Sequence, residues 1–167
     1  MPYTVKTEGM DELNQILKSL DERAGGMAAK GLYEGAGMMA DTLEAQAKAI
    51  QTAPFKWASK RRGETRLPSP EEKQVVLSAG SAGIAKFNRS GSEVDTSVGF
   101  DRSGYAVLKG KIVPIPKIAN AINHGTSFMQ KQPFVRKARD SGGKKAMNAV
   151  AESIKKQVEE ITGGNKK

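Results

Sequence analysis

Apolar residues recur at helical spacing along the first quarter of the chain. Between Met10 and Arg23 the intervals are three and four residues, which predicts a helix with one buried stripe (Leu13, Ile16, Leu17, Leu20). The run Ala24-Gly25-Gly26 predicts the end of this helix, because glycine disfavours a helix interior.

A second, longer helix is predicted from Met27 to Thr52, before Pro54, which cannot continue a helix. Its apolar positions also recur at intervals of three and four residues (Leu32, Ala36, Met39, Leu43, Ala47, Ile50). Gly31 and Gly35 lie one turn apart on one side of it. They indicate either close approach of another backbone or a fraying helix start, and the sequence favours neither.

Shorter segments then predict antiparallel strands. Residues 74–77 and 83–87 flank a turn of small residues and predict a hairpin, and residues 93–100 alternate apolar with polar side chains. Residues 105–108 predict a further strand. The prolines of residues 112–116 permit only an edge strand or an extended segment.

Helical patterns return near the end of the chain. A short helix is predicted from Pro116 to Asn123, and a turn of helix from Pro133 to Arg139. After Ser141-Gly142-Gly143 a terminal helix is predicted from Lys144 to Ile161, and residues 162–167 form a loose tail. The expected apolar stripe of the terminal helix has five members (Met147, Val150, Ile154, Val158, Ile161).

Helices and strands in separate blocks predict a single α+β domain over residues 1–167. We expect one antiparallel sheet, with the two N-terminal helices and the C-terminal helix packed on one face. Residues 55–73 predict an exposed basic loop.

Composition narrows the setting. There is no cysteine, so a disulfide framework and a thiolate metal site are excluded. The sequence contains neither the long apolar run of a transmembrane helix nor the apolar core of a signal peptide, so we expect a cytoplasmic product without a membrane partner.

Charge is distributed unevenly. Residues 1–53 carry five basic and eight acidic side chains, a net charge of −3, whereas residues 54–167 carry twenty-two and ten, a net charge of +12. Such a basic segment serves solubility, an acidic protein partner or nucleic acid. The basic side chains predicted in the loop are Lys56, Lys60, Arg61, Arg62 and Arg66. Trp57, beside them, is either a contact anchor or a residue tucked against the core.

The residues give little sign of catalysis. The only histidine, His124, lies at the end of a predicted helix, where its partial positive charge suits the helix dipole. We found no nucleophile elbow, phosphate loop, dinucleotide fingerprint or zinc spacing. We therefore expect a protein that is not an enzyme and that holds no cofactor or metal.

The most specific pattern is the stretch from His124 to Ala138. Gly125 is placed to reverse the chain after one helix and Pro133 to begin the next, while Phe128 and Phe134 can hold the connection against the core. The basic side chains Arg136, Lys137 and Arg139 then project from the following turn, where an acidic neighbour could meet them.

A Gly125-Thr126 pair followed by Pro133-Phe134 and a basic helix start resembles the C-terminal signature of the HK97 gp10-like family of tailed-phage proteins. The order of elements resembles that family too. Two features depart from its pattern: Asn123-His124 replaces an acidic-aromatic pair, and the basic loop 55–73 replaces a compact run after the long helix.

The resemblance implies a tail terminator or head–tail joining protein of the virion neck, made in the host cytoplasm. Subunits would form a homo-oligomeric ring, typically a hexamer, between the tail tube protein and the head connector or stopper. DNA would pass through the ring without specific recognition, so we expect the basic loop to face a partner or the outside. The alternative is a small basic nucleic-acid-binding protein.

Overall fold

A computed structural model describes residues 10–58, 63–78, 82–90, 93–100 and 103–163, with only the backbone of residues 10–12. The predicted arm at residues 3–5, three of the basic residues (Lys60, Arg61 and Arg62) and the tail from residue 164 lie outside this part. The helices are α1 (Met10–Lys48), α2 (Pro70–Val76), α3 (Ile115–His124) and α4 (Phe134–Gly163). The strands are β1 (Ala82–Ile84), β2 (Asn88–Ser90), β3 (Glu93–Asp95), β4 (Val98–Phe100), β5 (Tyr105–Leu108) and β6 (Lys111–Pro114).

The two predicted N-terminal helices are one helix of 39 residues, so the predicted break at residues 24–26 is wrong. Glycine lowers helix propensity by about 1 kcal/mol but does not forbid a helix where tertiary contacts support it. Such support is present next to the glycines, because the Gln157 side chain of α4 donates to the Met27 carbonyl at 3.4 Å. The helix ends at Lys48, before the predicted Thr52.

Helix α4 also continues through its predicted break, since Gly142 and Gly143 lie within it. Gly142 is buried against α1: a Cβ atom built there would lie 2.8 Å from Thr42 Oγ1. The glycine therefore brings two helices together rather than ending one. Thr162 and Gly163, which we expected in the loose tail, are the last residues of the helix.

The α1–α4 contact decides the role of Gly31 and Gly35. A Cβ on Gly31 would lie 3.2 Å from the Val150 carbonyl oxygen, and one on Gly35 would lie 2.9 Å from the Ala146 carbonyl oxygen. Both glycines thus permit close approach of α4 within the same subunit. Residues that ascend α1 meet residues that descend α4, so the helices are antiparallel.

The strand predicted at residues 74–77 is wrong, because residues 70–76 form α2. The Ser69 hydroxyl accepts from the Glu72 N–H, and the Glu72 carboxylate accepts from the Ser69 N–H, which is a capping box. Pro70 occupies the first turn, where it loses no hydrogen bond. This start signal outweighs the strand preference of Val75 and Val76, both of which are buried.

The strands are antiparallel, as predicted, but those described pair in three two-stranded sheets. β1 pairs with β4, and β2 with β3, so the strand predicted over residues 93–100 is divided in two. β5 and β6 form a hairpin whose turn, Lys109-Gly110, has positive φ at both residues, as a tight two-residue turn requires. The predicted strand 105–108 and the edge segment that follows it are both confirmed.

The core lies where the C-terminal half of α1 meets α3 and the start of α4. Leu43, Ala47 and Ile50 pack there against Ile122 and Phe134. Two predicted stripes are partly wrong: Leu13 and Leu17 of α1 are exposed, and so is Met147 of α4, where Ala146 is buried instead. The α+β class is confirmed, with one N-terminal helix in place of two. No helix in the described ranges is both long and apolar enough to cross a membrane.

Candidate assembly surfaces

The connection between α3 and α4 is a tightly bonded loop. Gly125 ends α3 with φ 76° and ψ 171°, a positive-φ conformation as predicted but with an extended ψ. The Thr126 hydroxyl accepts from the N–H groups of Phe128 and Met129, at 3.2 and 3.0 Å. The backbone of Met129 then bonds back to Thr126. The loop therefore has one defined course between the helices.

Met129, rather than Phe128, fixes this loop to the core. Phe128 is 46% exposed, so its predicted role as an anchor is wrong, whereas Met129 and Phe134 are buried. The Arg66 backbone bridges the same loop, since its N–H donates to the Phe128 carbonyl and its carbonyl accepts from the Gln130 N–H, both at 2.8 Å. Helix α4 begins at Phe134, one residue after the predicted Pro133.

Two polar residues that sequence reasoning missed hold the loop in place. The Gln132 side chain accepts from the Gln51 N–H at 3.2 Å and donates to the Gln51 carbonyl at 3.1 Å. The Asn123 side chain accepts from the Val135 N–H at 3.1 Å, and so satisfies an amide in the first turn of α4. The only local signal was the identity of Asn123, which departs from the family pattern.

Gly125→Ala should destabilise the fold by about 1–3 kcal/mol, because the residue has positive φ and faces backbone. A Cβ there would lie 3.0 Å from the Lys131 nitrogen and 3.1 Å from the Met129 oxygen. Thermal or urea unfolding of the purified protein measures this. Gly110→Ala is a useful comparison, since its φ is 75° but nothing lies within 4 Å. An equal loss in both variants would assign the whole effect to φ.

The loop delivers a basic turn at the start of α4. Arg136, Lys137 and Arg139 are all exposed, as predicted. Asp140 lies between the two arginines, at 3.5 Å from Arg136 and 3.3 Å from Arg139, with all three side chains more than half exposed. Such exposed pairs contribute little stability, so these cations are available for an acidic partner. That contact stays a prediction.

The segment from 55 to 73 differs from the exposed loop that we expected. Pro68 and Ser69 are fully buried, and α2 starts at Pro70. Arg66 is not a free cation for a partner, because its guanidinium forms two hydrogen bonds with Glu72, at 2.6 and 2.5 Å. This pair fixes the end of the segment to the capped start of α2.

The first half of the segment is open to solvent. Trp57 is 90% exposed, which excludes the alternative that it is tucked against the core. Its ring meets the Phe55 ring edge to face, with centroids 5.2 Å apart. Arg66 and Lys109 place their cationic groups 4.7 and 2.9 Å from the Phe55 centroid. The hairpin tip and Trp57 thus form one basic and aromatic surface, together with the exposed Lys56.

Two further surfaces are apolar and uncovered. On the outer face of the β5–β6 hairpin, Val107 and Ile112 are directly opposite each other and are 70% and 75% exposed, with Tyr105 on the same face. We call these three residues the hairpin face. At the start of α1, Leu13 and Leu17 are 49% and 54% exposed. We call Leu13, Ile16, Leu17 and Leu20 the α1 stripe.

His124 is exposed at the end of α3 and lies 3.1 Å from the Asn123 side-chain nitrogen. Among the described residues, no group of three or more His, Asp or Glu side chains is arranged to hold a metal ion. No protein-family model, curated protein or solved structure matches this chain. The candidate surfaces therefore rest on the residues and their geometry.

Proposed function

We propose that this protein is a structural subunit of the virion neck of a tailed bacteriophage, a tail terminator or head–tail joining protein that assembles into a ring. The observation that carries the proposal is the pair of uncovered apolar surfaces, the hairpin face and the α1 stripe. Contiguous exposed apolar side chains mark protein–protein contacts. Two such surfaces at different places on one subunit suit a ring, in which every subunit has two neighbours.

The loop from His124 to Pro133 supports the same proposal. Its hydrogen bonds to Arg66 and Gln51 hold the start of α4 in one orientation relative to α1. Arg136, Lys137 and Arg139 are thereby presented on a rigid element, as suits a fixed contact with a connector or tail-tube protein. The hexameric state and these two partners are part of the proposal.

A second candidate, a small basic nucleic-acid-binding protein, is favoured by one observation. Trp57 is almost fully exposed beside Phe55, Lys56 and Lys109. Exposed aromatic rings among cations stack on the bases of single strands. Such binding weakens steeply as salt is raised, because phosphate contacts release counterions.

One comparison separates the two functions. The mass of the purified protein is measured over a range of concentrations, and its binding to single- and double-stranded DNA is measured at low and high salt. A discrete closed oligomer that persists at high salt, without DNA affinity, is expected for the neck subunit. A monomer with salt-sensitive DNA binding would establish the second candidate, and a monomer without DNA binding would reject both.

A further inference from the structure

The start of α1 extends beyond the rest of the subunit. The antiparallel contact with α4 reaches Ile161, which shares a surface hollow with Glu22 and Gly26. Because α4 is described only to Gly163, the turns of α1 before about Leu20 lie past its last described turn. A free helix of about ten residues is marginal in water, so its apolar side needs a covering surface.

The hairpin face lies at the opposite end of the same helix. The hairpin packs against α2, and the Lys73 side chain of α2 donates to the Ile50 carbonyl just after α1 ends. Leu13 and the end of α1 at Lys48 are separated by about 50 Å along the helix axis, at 1.5 Å per residue. One subunit therefore cannot cover its own hairpin face with its own α1 stripe.

The hairpin face needs a cover as much as the stripe does. A two-stranded hairpin is marginally stable unless a helix or further strands pack on it. Its inner side meets α2, but Val107 and Ile112 remain bare. Val107 also lines an open hollow with Pro70 and Val75, which gives a helix an apolar surface to lie on.

The charges around the two surfaces are complementary. Residues 10–23 carry four acidic and two basic side chains. Residues 55–73, which contact the hairpin through Phe55 and Lys109, carry six basic and three acidic ones, and Lys109 and Lys111 add two cations at the hairpin tip. Complementary charge directs association toward the matching surface and disfavours two acidic ends meeting.

From these observations we propose that the α1 stripe of one subunit docks on the hairpin face of a second copy of this chain. The contact is heterologous: each subunit gives its helix end to one neighbour and its hairpin to the other. Repetition of one such contact closes into a ring or continues as a filament. The inference deepens the proposed neck function, because it specifies the contact from which the ring would be built.

Pairing of single cysteines tests this contact directly, because the chain contains no cysteine of its own. Leu17→Cys and Val107→Cys are made separately, mixed at a concentration at which the protein assembles, and oxidised. A disulfide-linked dimer is expected in the mixture, and none is expected from either variant alone. Met147→Cys is the matched control, since Met147 is equally exposed but belongs to neither surface. It should not link to Leu17→Cys.

The outcomes separate the contact from the neck function. Linkage of Leu17→Cys to itself would overturn the proposal in favour of a symmetric helix pair, and an oligomer without linkage would overturn it while leaving a ring possible. Linkage in filaments of no fixed mass would support the contact and reject the ring. A monomer at all concentrations would overturn both. In the double variant Leu17→Cys/Val107→Cys, the expected result is a ladder of linked species that ends at the number of subunits in the ring.

Discussion

Replacing Gly35 with alanine is expected to lower the free energy of unfolding by about 3 kcal/mol, at the upper end of the usual cost of overpacking. A Cβ at this position would lie 2.5 Å from Val150 Cγ2 and 2.9 Å from the Ala146 carbonyl oxygen. The valine methyl could rotate away, but the carbonyl belongs to the backbone of α4. The two helices must therefore separate, which loosens the longest contact in the subunit.

The control for this change lies two residues further along. Gly37 is in the same helix, but nothing lies within 4 Å of its Cβ position. Gly37→Ala should therefore raise the free energy of unfolding by up to about 1 kcal/mol, because alanine favours the helix. Urea unfolding of the two variants measures both signs. Equal stabilisation by the two alanines would contradict the close approach of α1 and α4 at Gly35.

The elements that the sequence predicted well have strong local determinants. Helix α3 is an amphipathic segment between Pro114-Ile115-Pro116 and Gly125, so its bounds follow from residues within it. The β5–β6 hairpin likewise follows from alternating side chains around a Lys109-Gly110 turn. In both cases local chemistry and tertiary structure agree.

The errors have two physical sources. The glycines of α1 and α4 were taken as helix breaks, because the contact that uses them joins residues more than a hundred positions apart. The strand predicted at residues 74–77 was an avoidable error, since Ser69-Pro70-Glu71-Glu72 contains a capping box with proline in the first turn. Valine pairs indicate a strand only where no such start signal precedes them.

The candidate site was predictable in its ends but not in its interior. Gly125 and the basic turn at Arg136 are placed as expected. The bonds that fix the loop join Arg66 to Phe128 and Gln51 to Gln132, pairs that the sequence alone does not bring together. The hairpin face was hidden for a related reason: a strand pattern does not say which side of a hairpin remains bare.

Replacing Arg66 with methionine should have a comparably large effect, a loss of about 3–5 kcal/mol, because it leaves a buried carboxylate without its partner. Glu72 is only 9% exposed in its side chain and binds both guanidinium nitrogens. Arg66 also carries the backbone bridge to Met129, so loss of its anchorage reaches the loop before α4. A surface pair provides the control: Glu44→Ala removes the exposed bond to Lys48 and should cost less than about 0.5 kcal/mol.

The pH dependence of stability identifies the charge pair as the cause. Burial raises the pKa of Glu72, but the hydrogen bonds from Arg66 and the Ser69 N–H outweigh it, so the pKa lies below its ordinary value. This contribution to stability is complete above the ordinary carboxyl pKa of about 4.3 and is lost as the pH falls through the lower folded value. Without Arg66 the pKa of Glu72 rises, so the cost of Arg66→Met should shrink on acidification.

A double-mutant cycle completes the test. Glu72→Gln removes the charge but keeps a side chain that can serve the capping box. If the ion pair is responsible, the free energies of unfolding of Arg66→Met, Glu72→Gln and the double variant should be strongly non-additive at pH 7 and close to additive at a pH where Glu72 is protonated. Additivity at both pH values would instead assign the loss to the packing of the Arg66 side chain, and the pair would then have no part in holding α2 and the loop together.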